Sequence, residues 1–150
     1  MAIDLLNNRL GEILEKSKML NDYDAWIQLN TPLLKHKVIR WIQDDQLISK
    51  GVDGDGQIIG YYTLGTEIIS EGRKPEGEPY NLYDSGDLFA SMFIVVLERH
   101  LQIGADTNEI KDQDWFRTQI FELTDENFAR YILEAKEGLR NYLRRIYGIA

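Results

Sequence analysis

The stretch over residues 80–96, YNLYDSGDLFASMFIVV, constrains the fold more than any other part of the chain. Asp84 or Ser85 is predicted to cap a short helix, and Asp87 stands where an acid can reach back to the free amides of the first turn. Gly86 lets the chain bend sharply between them. The chain is therefore predicted to pass through a turn and a short helix before it enters a strand.

An apolar run follows this short helix directly. Leu88, Phe89 and Met92 give the helix one apolar face, and FIVVL over residues 93–97 then predicts a strand that is covered on both faces. Residues 101–105 alternate in polarity, so they predict a second strand that forms a hairpin with the first. The side chains predicted to point inward from the second strand are Leu101, Ile103 and Ala105.

Helices are predicted on the N-terminal side of this centre. Residues 3–20 carry one apolar stripe, and residues 23–29 form a short helical segment. Asn30-Thr31-Pro32 starts a further helix that ends near Lys50, with Gly51 just after it. The predicted buried face of this helix is Leu34, Val38, Trp41 and Ile48.

The C-terminal part is also predicted to be helical. Residues 112–121 predict a short helix, and Thr124 then opens a long last helix that Thr124 or Asp125 can cap and that Gly148 ends. The predicted apolar stripe of the last helix is Phe128, Ile132, Ala135, Leu139, Tyr142 and Ile146. Helices at both ends and a small antiparallel sheet between them predict a single α+β domain over residues 1–150, with the long helix packed on the sheet.

The segment between the predicted helices and the central motif is predicted to hold two strands and a loop. Residues 57–63 and residues 66–70 have the composition of strands. EGRKPEGEP over residues 71–79 combines glycine, proline and charge, so it predicts a loop that projects from the domain. A mobile surface loop and an arm that binds a partner both fit this composition.

Asp53-Gly54-Asp55-Gly56 resembles part of a calcium-binding loop. Placing Asp53 and Asp55 at the third and fifth loop positions puts Gly51 at the first and Tyr62 at the twelfth. Two required ligands are then absent, including the bidentate glutamate. The four residues are therefore predicted to form a plain turn that binds no calcium.

No pattern of residues predicts a catalytic centre, a cofactor site or a metal site. His36 and His100 each lack a second ligand at metal-binding spacing. Asp84 and Asp87 are the residue types of a paired-carboxylate hydrolase, although capping of a helix explains them as well. We therefore expect a protein that is not an enzyme and that holds neither cofactor nor metal.

The formal net charge of −8 disfavours a protein that wraps DNA through phosphate contacts. Such a charge is compatible with the wall of a channel along which DNA slides. No apolar run approaches the roughly 20 residues of a membrane helix, so no membrane partner is expected. The chain has no cysteine, which excludes disulfides and thiolate ligands.

Two groups of side chains are candidates for contacts between subunits. Three basic residues follow one another at four-residue spacing on the last helix: Lys136, Arg140 and Arg144. Either the helix dipole or an acidic neighbour, such as a second copy of the chain, stabilises such a group. Four tyrosines cluster around the predicted loop: Tyr61, Tyr62, Tyr80 and Tyr83. A single subunit has difficulty covering all four, so the chain is predicted to self-associate.

A short motif, an aromatic residue followed by Asp, Ser, Gly and an acid, lies within LYDSGDLFAS at residues 82–91. Gly60-Tyr61 and Thr66-Glu67 accompany it, with weaker matches at residues 103–106 and 121–126. Through these residues the chain resembles small structural proteins of tailed phages, of the tail-completion and head-to-tail joining type, including forms from Bacteroidetes and crAss-like phages. The structural motif of the resemblance is Asp84, Ser85, Gly86, Asp87 and Leu88.

The resemblance implies a virion subunit that forms a homo-oligomeric ring in the neck or tail, as a head-tail connector or tail-completion protein. Its expected partners are copies of itself and other neck or tail proteins, with DNA only as cargo in the lumen. Its expected location is the virion, and the host cytoplasm during assembly. The residues expected at the subunit interface are Ile68, Ile69, Arg73, Lys74, Tyr80, Tyr83, Lys136, Arg140 and Arg144.

Two other classes of function stay open at the level of sequence. A small acidic intracellular protein could bind or inhibit one basic partner as a monomer. A hydrolase could use Asp84, Asp87 or His100.

Overall fold

A computed structural model describes residues 30–97 and 100–148. The helices predicted at residues 3–20 and 23–29, and residues 98–99 of the predicted hairpin turn, lie outside the described residues. The described elements are, in chain order, α1 (Pro32–Arg40), a π-helical segment (Trp41–Ile48), α2 (Leu64–Ile69), α3 (Asp87–Ala90), β1 (Phe93–Val96), β2 (Leu101–Gly104), a 3₁₀-helix (Thr118–Phe121) and α4 (Asp125–Tyr147). The predicted α+β class is confirmed.

The sheet consists of β1 and β2, which pair antiparallel with Ile94 opposite Ile103 and Val96 opposite Leu101. The predicted hairpin is therefore confirmed. The prediction that β1 is covered on both faces is wrong, because Phe93 is 44% exposed whereas Ile94 packs against the core. A two-stranded sheet with helices on one side has one face open to solvent, and an unbroken apolar run does not reveal this.

The first described helix begins as the sequence predicts. Thr31 has extended backbone angles, and its hydroxyl oxygen accepts a hydrogen bond from the Leu34 amide at 3.2 Å. Pro32 occupies the first helical position. A backbone N–H at this position makes no hydrogen bond within the helix, so proline, which lacks this N–H, is tolerated there. At the other end, the Gly51 amide donates to the Leu47 carbonyl at 3.0 Å, and Gly51 has a φ of +62°. This is the left-handed conformation predicted for a glycine after a helix.

The π-helical segment changes which side chains face the core. Ile42 and Leu47, five residues apart, are fully buried, whereas Ile48 is 49% exposed. The prediction that Ile48 lies on the buried face is wrong, because that prediction used α-helical spacing throughout and a π-helix has a wider turn. Leu34 and Val38, which lie in α1, are buried as predicted.

Two glutamines join the π-helical segment to the rest of the chain. Gln46 is buried, and its Oε1 accepts hydrogen bonds from the Thr124 amide and from the side-chain amide of Asn127, both at 2.9 Å. Gln43 donates to the carbonyl oxygen of Phe89 at 2.9 Å. Because buried polar groups require partners, these bonds fix the start of α4 and the end of α3 against the π-helical segment.

The last helix begins and ends where the sequence predicts. The Thr124 hydroxyl accepts a hydrogen bond from the Asn127 amide at 3.3 Å, and Gly148 ends α4 with a φ of +64°. Its predicted apolar stripe is buried only in part, since Ala135 is buried and Phe128 is 52% exposed. The stripe fits the helix, but the described core covers only a portion of it.

Two hydrophobic clusters form the described core. The first joins the π-helical segment to α3 and the 3₁₀-helix: Ile42, Leu47, Ile59, Phe89, Met92, Ile120 and Phe121. The second joins α1 to α4: Leu34, Val38, Tyr131 and Ala135. Ile94 and Leu101 pack on the second cluster, so the long helix lies against one face of the sheet, as predicted.

Tyr131 of the second cluster has a raised pKa. Burial of its hydroxyl raises this pKa, and the hydrogen bond that the hydroxyl donates to Asn30 Oδ1 at 2.7 Å only partly offsets the effect of burial.

The two strands predicted before the loop are absent. Residues 57–63 form no strand, and only isolated bridges join Val52 to Ile58 and Tyr61 to Pro79. Residues 66–70 lie mostly in α2 instead of in a strand. The cause is local, because the Thr63 hydroxyl accepts a hydrogen bond from the Thr66 amide at 3.3 Å and caps the helix.

The short helix predicted at residues 112–121 is also wrong for most of its length. Residues 112–117 form turns and irregular structure, and only Thr118–Phe121 is helical, with 3₁₀ geometry. Ile120 is nevertheless fully buried, and Trp115 and Phe116 pack against the first cluster. The apolar residues of this segment therefore contact the core although most of the segment is not helical.

The short helix α3 differs from the prediction at its cap. Gly86, with a φ of +94°, is the N-cap residue, in place of Asp84 or Ser85. The Ser85 hydroxyl accepts from the Asp87 amide at 3.2 Å and donates to the Asp87 carboxylate at 2.7 Å. The Asp87 carboxylate therefore binds Ser85 rather than the amides of the first turn, and the predicted bend at Gly86 is confirmed.

We expect Gly86→Val to destabilise the protein more than Asp87→Asn. A β-branched residue at this positive φ is strained by about 1 kcal/mol or more, and its Cβ would lie 3.3 Å from the Tyr83 hydroxyl. Asp87 is exposed, so its replacement is expected to change the free energy of unfolding by about 0.5 kcal/mol or less. Urea unfolding midpoints of the two variants measure the difference, and equal midpoints would show that Gly86 is not conformationally required.

Candidate subunit interface

The helix α2 presents its apolar side to solvent. Leu64 and Ile68, one turn apart, are 53% and 68% exposed, and Ile69 is 83% exposed. Thr66 and Glu67, on the opposite side, are half-buried, and no residue of α2 is buried. An ordinary surface helix has the reverse orientation, with its apolar stripe towards the core. We call Leu64, Ile68 and Ile69 the apolar face of α2.

Hydrogen bonds to polar groups hold α2 in this orientation. The Glu67 carboxylate accepts from the Glu76 amide at 2.7 Å, and the Ser70 hydroxyl accepts from the Lys74 amide at 3.0 Å. Arg73 Nε donates to the Ser70 carbonyl oxygen at 2.9 Å. The polar side of the helix is therefore attached to residues 71–79, and the apolar face is left open.

The loop at residues 71–79 folds back on the residues before α2. The Gly77 amide donates to the Tyr62 carbonyl, and the Tyr62 amide donates to the Glu78 carbonyl, both at 2.9 Å. The Lys74 ammonium lies 5.8 Å from the centre of the Tyr62 ring and 3.3 Å from Asp84 Oδ1. The side chains of the loop are mostly exposed, as its composition predicts, but its backbone pairing was not predicted because it joins two irregular segments.

The four clustered tyrosines divide into two covered and two exposed side chains. Tyr62 is 9% exposed and its ring centroid lies 4.9 Å from that of Tyr80, which in turn contacts Trp115 at 5.4 Å. Tyr61 and Tyr83 are 56% and 47% exposed. One subunit therefore covers half of the cluster, and Tyr61 and Tyr83 remain available to a partner.

The basic residues predicted at the interface lie on one exposed side of α4. Leu133, Lys136, Arg140 and Arg144 follow helical spacing, so they share one face, on which Leu133 is 68% exposed. Arg140 pairs with Glu137 at 2.6 Å. Within the part of the chain that the structure describes, Lys136 and Arg144 make no ion pair. We call Leu133, Lys136, Arg140 and Arg144 the basic face of α4.

The turn at residues 53–56 is closed by a buried ion pair. Asp53 is 1% exposed, and its Oδ1 accepts from the Asp55 and Gln57 amides at 3.0 and 2.9 Å. Its Oδ2 accepts from Arg117 Nε at 2.5 Å. Burial alone would raise the pKa of Asp53, but the hydrogen bonds and the charge of Arg117 hold this pKa below its usual value. Both oxygens already have protein donors, as in a structural turn rather than a calcium site.

The structure does not bring the candidate catalytic residues together. Asp84 and Lys74 line one cleft, whereas His100 lines an apolar groove between β2 and α4. The cleft and the groove have no lining residue in common. The Asp87 carboxylate accepts a hydrogen bond from the hydroxyl of Ser85, two residues before it. Among residues 30–97 and 100–148, no three His, Cys, Asp or Glu side chains are grouped to hold a metal ion. Over the same ranges, no helix combines the length and apolar character needed to span a membrane.

No family model, curated protein or solved structure matches this chain.

Proposed function

We infer that this chain is a structural subunit of a tailed-phage virion that forms a ring with copies of itself in the neck or tail. Its role there would be that of a head-tail connector or a tail-completion protein. The observation that carries this proposal is the apolar face of α2, which polar contacts hold open to solvent. A contiguous exposed apolar surface of this kind is typical of a protein–protein interface.

Covering the apolar face of α2 provides a substantial driving force for assembly. Complete burial of a leucine or isoleucine side chain contributes about 1.5 to 3 kcal/mol. Leu64, Ile68 and Ile69 are each more than half exposed, so covering all three contributes about 3 to 6 kcal/mol before the entropy cost of association. In a ring, each subunit contributes one such face, so this free energy is gained once for each contact between neighbours.

The motif at residues 82–91 supports the phage class of this proposal. Two residues of the motif stabilise the fold of the subunit: Gly86 forms the bend before α3, and Phe89 packs in the first core cluster. Tyr83 of the same motif remains 47% exposed, on the surface that also includes Asp84 and Lys74. The net charge of −8 suits a ring whose lumen passes DNA without binding it.

The mass of the native assembly tests this proposal. Size-exclusion chromatography with light scattering is expected to give a mass several times that of the 17.4 kDa subunit, and electron microscopy is expected to show rings. Mass spectrometry of purified particles of the encoding phage is expected to detect the chain. A protein that stays monomeric at all concentrations and is absent from particles would instead favour the acidic inhibitor class.

A further inference from the structure

We propose that the ring contact is head-to-tail, with the apolar face of α2 of one subunit docked on the basic face of α4 of the next. This inference rests on the proposed function, because it takes a second copy of the chain as the partner. Both faces expose aliphatic side chains that can form the centre of a contact, Ile68 and Ile69 on one and Leu133 on the other.

The surroundings of the two faces carry opposite charge. Residues 67–87, which include most of α2 and the loop after it, contain six acidic and two basic residues, a net charge of −4. Residues 136–145 of α4 contain four basic residues and one acidic residue, a net charge of +3. The segment that carries the apolar face of α2 is therefore acidic as a whole, and it complements the basic face of α4 on another copy.

A second group of basic residues, on α1, is less available to a partner. Lys37 pairs with Glu134 at 3.0 Å, and Arg40 pairs with Asp44 at 2.8 Å, so both charges are already satisfied within the subunit. On the basic face of α4, only Arg140 has such a pair among the described residues. The basic face of α4 is thus the better match for an acidic neighbour.

Opposite charge also decides the symmetry of the contact. If either face paired with the same face of another copy, like charges would be placed against each other. A contact between two different faces avoids this, and it leaves one free face at each end of a dimer unless a two-fold axis lets the same two faces meet twice. Repetition of such a contact closes a ring of identical subunits when the rotation between neighbours divides a full turn evenly, and we take a ring as the assembly here.

Glu71 supports this arrangement from the α2 side. It follows α2 in a left-handed conformation with a φ of +55°, at a position where glycine is preferred, and it is exposed. Glu71 follows Ile69 by two residues in the chain and is exposed, so its carboxylate can meet a basic residue of the next subunit. We therefore expect Glu71→Gly to raise the urea midpoint of the isolated subunit and to weaken assembly by about fivefold or more.

Two variants that each lose one face test the head-to-tail contact. Ile69→Asp removes the centre of the apolar face, and Arg140→Glu reverses a charge on the basic face. Each purified variant is expected to remain a monomer by light scattering. A mixture of the two is expected to form a 1:1 heterodimer of twice the subunit mass and nothing larger, because one intact face of each kind remains. The mixture is measured well above the concentration at which the wild type assembles, since a single contact lacks the avidity of a closed ring.

Matched controls make the same chemical changes elsewhere on the surface. Ile48→Asp in the π-helical segment, at a side chain that is 49% exposed, and Lys111→Glu, at an exposed residue, are expected to assemble like the wild type. Far-UV circular dichroism checks that every variant is folded.

The outcomes distinguish the contact from the function on which it rests. If the wild type forms rings but the folded variants give no heterodimer, or if either variant assembles alone, the head-to-tail contact is wrong and the ring stands. If the wild type is monomeric under all conditions, both proposals are overturned. A heterodimer from two variants that are each monomeric supports the contact, because pairing of identical faces cannot produce it.

Discussion

Asp53→Asn is expected to lower the free energy of unfolding by about 3 kcal/mol, the lower end of the range for breaking a buried ion pair. The carboxylate is 1% exposed and accepts three hydrogen bonds, from the Asp55 and Gln57 amides and from Arg117. Asparagine keeps one acceptor oxygen but places an NH₂ group opposite the Arg117 donor. The lower end applies because Arg117 is about one-third exposed, so water partly solvates its charge once the pair is broken.

The contribution of Asp53 is also expected to depend on pH. Its pKa in the folded protein lies below the ordinary value of 3.8, so the folded state favours the ionised carboxylate. The stabilisation is therefore complete well above pH 3.8 and is lost as the pH falls through the lowered pKa of the folded state. Urea unfolding at pH 7 and at pH 3 is expected to show a smaller difference between wild type and Asp53→Asn at the lower pH.

Asp55→Asn is the matched control, since it makes the same chemical change two residues away at an exposed side chain. We expect it to change the free energy of unfolding by about 0.5 kcal/mol or less. If the two variants were equally stable, the pairing of Asp53 with Arg117 would not contribute to folding.

Gly51→Ala is expected to lower the free energy of unfolding by about 2 to 4 kcal/mol. An L-residue at the φ of +62° costs about 1 kcal/mol relative to glycine. The added Cβ would lie 2.5 Å from Pro79 Cβ and 2.7 Å from the Tyr80 carbonyl oxygen. Because one of these atoms belongs to the backbone, the chain must shift, which adds about 1 to 3 kcal/mol.

Gly56→Ala separates the two causes. Gly56 also has a positive φ, of +76°, but nothing lies within 4 Å of the position that its Cβ would take. This control is expected to lose only about 1 kcal/mol. Equal losses in the two variants, measured by urea or thermal unfolding, would show that the close approach of residues 79–80 to Gly51 is unimportant.

The ends of the long helices could be predicted because each depends on residues that are near in sequence. Thr31 and Thr124 accept hydrogen bonds from amides three residues later, and Gly51 and Gly148 supply the left-handed conformations that follow helices. The hairpin of β1 and β2 is likewise a contact between neighbouring segments. All these features follow from interactions that a short stretch of chain contains.

The sequence identified the candidate interface residues, but it did not predict the secondary structure that carries them or the face on which they lie. Ile68, Ile69 and Arg140 were expected at a subunit interface, and the structure places their side chains at the surface. The sequence assigned Ile68 and Ile69 to a strand, whose two neighbouring side chains would point to opposite faces. In α2 the same residues share one apolar face, because Thr63 caps a helix there.

By itself, the sequence determined the α+β class, the starts and ends of the two long helical stretches at residues 32–48 and 125–147, the hairpin and the acidic character of the chain. These properties depend on composition or on contacts within a few residues. Tertiary structure alone decided the pairing of Asp53 with Arg117, the π-helical turn that buries Ile42 and Leu47, and the outward orientation of α2. Each of these depends on which distant groups lie alongside: an arginine 64 residues away, the core around the π-helical segment, and the loop amides that hold the polar side of α2.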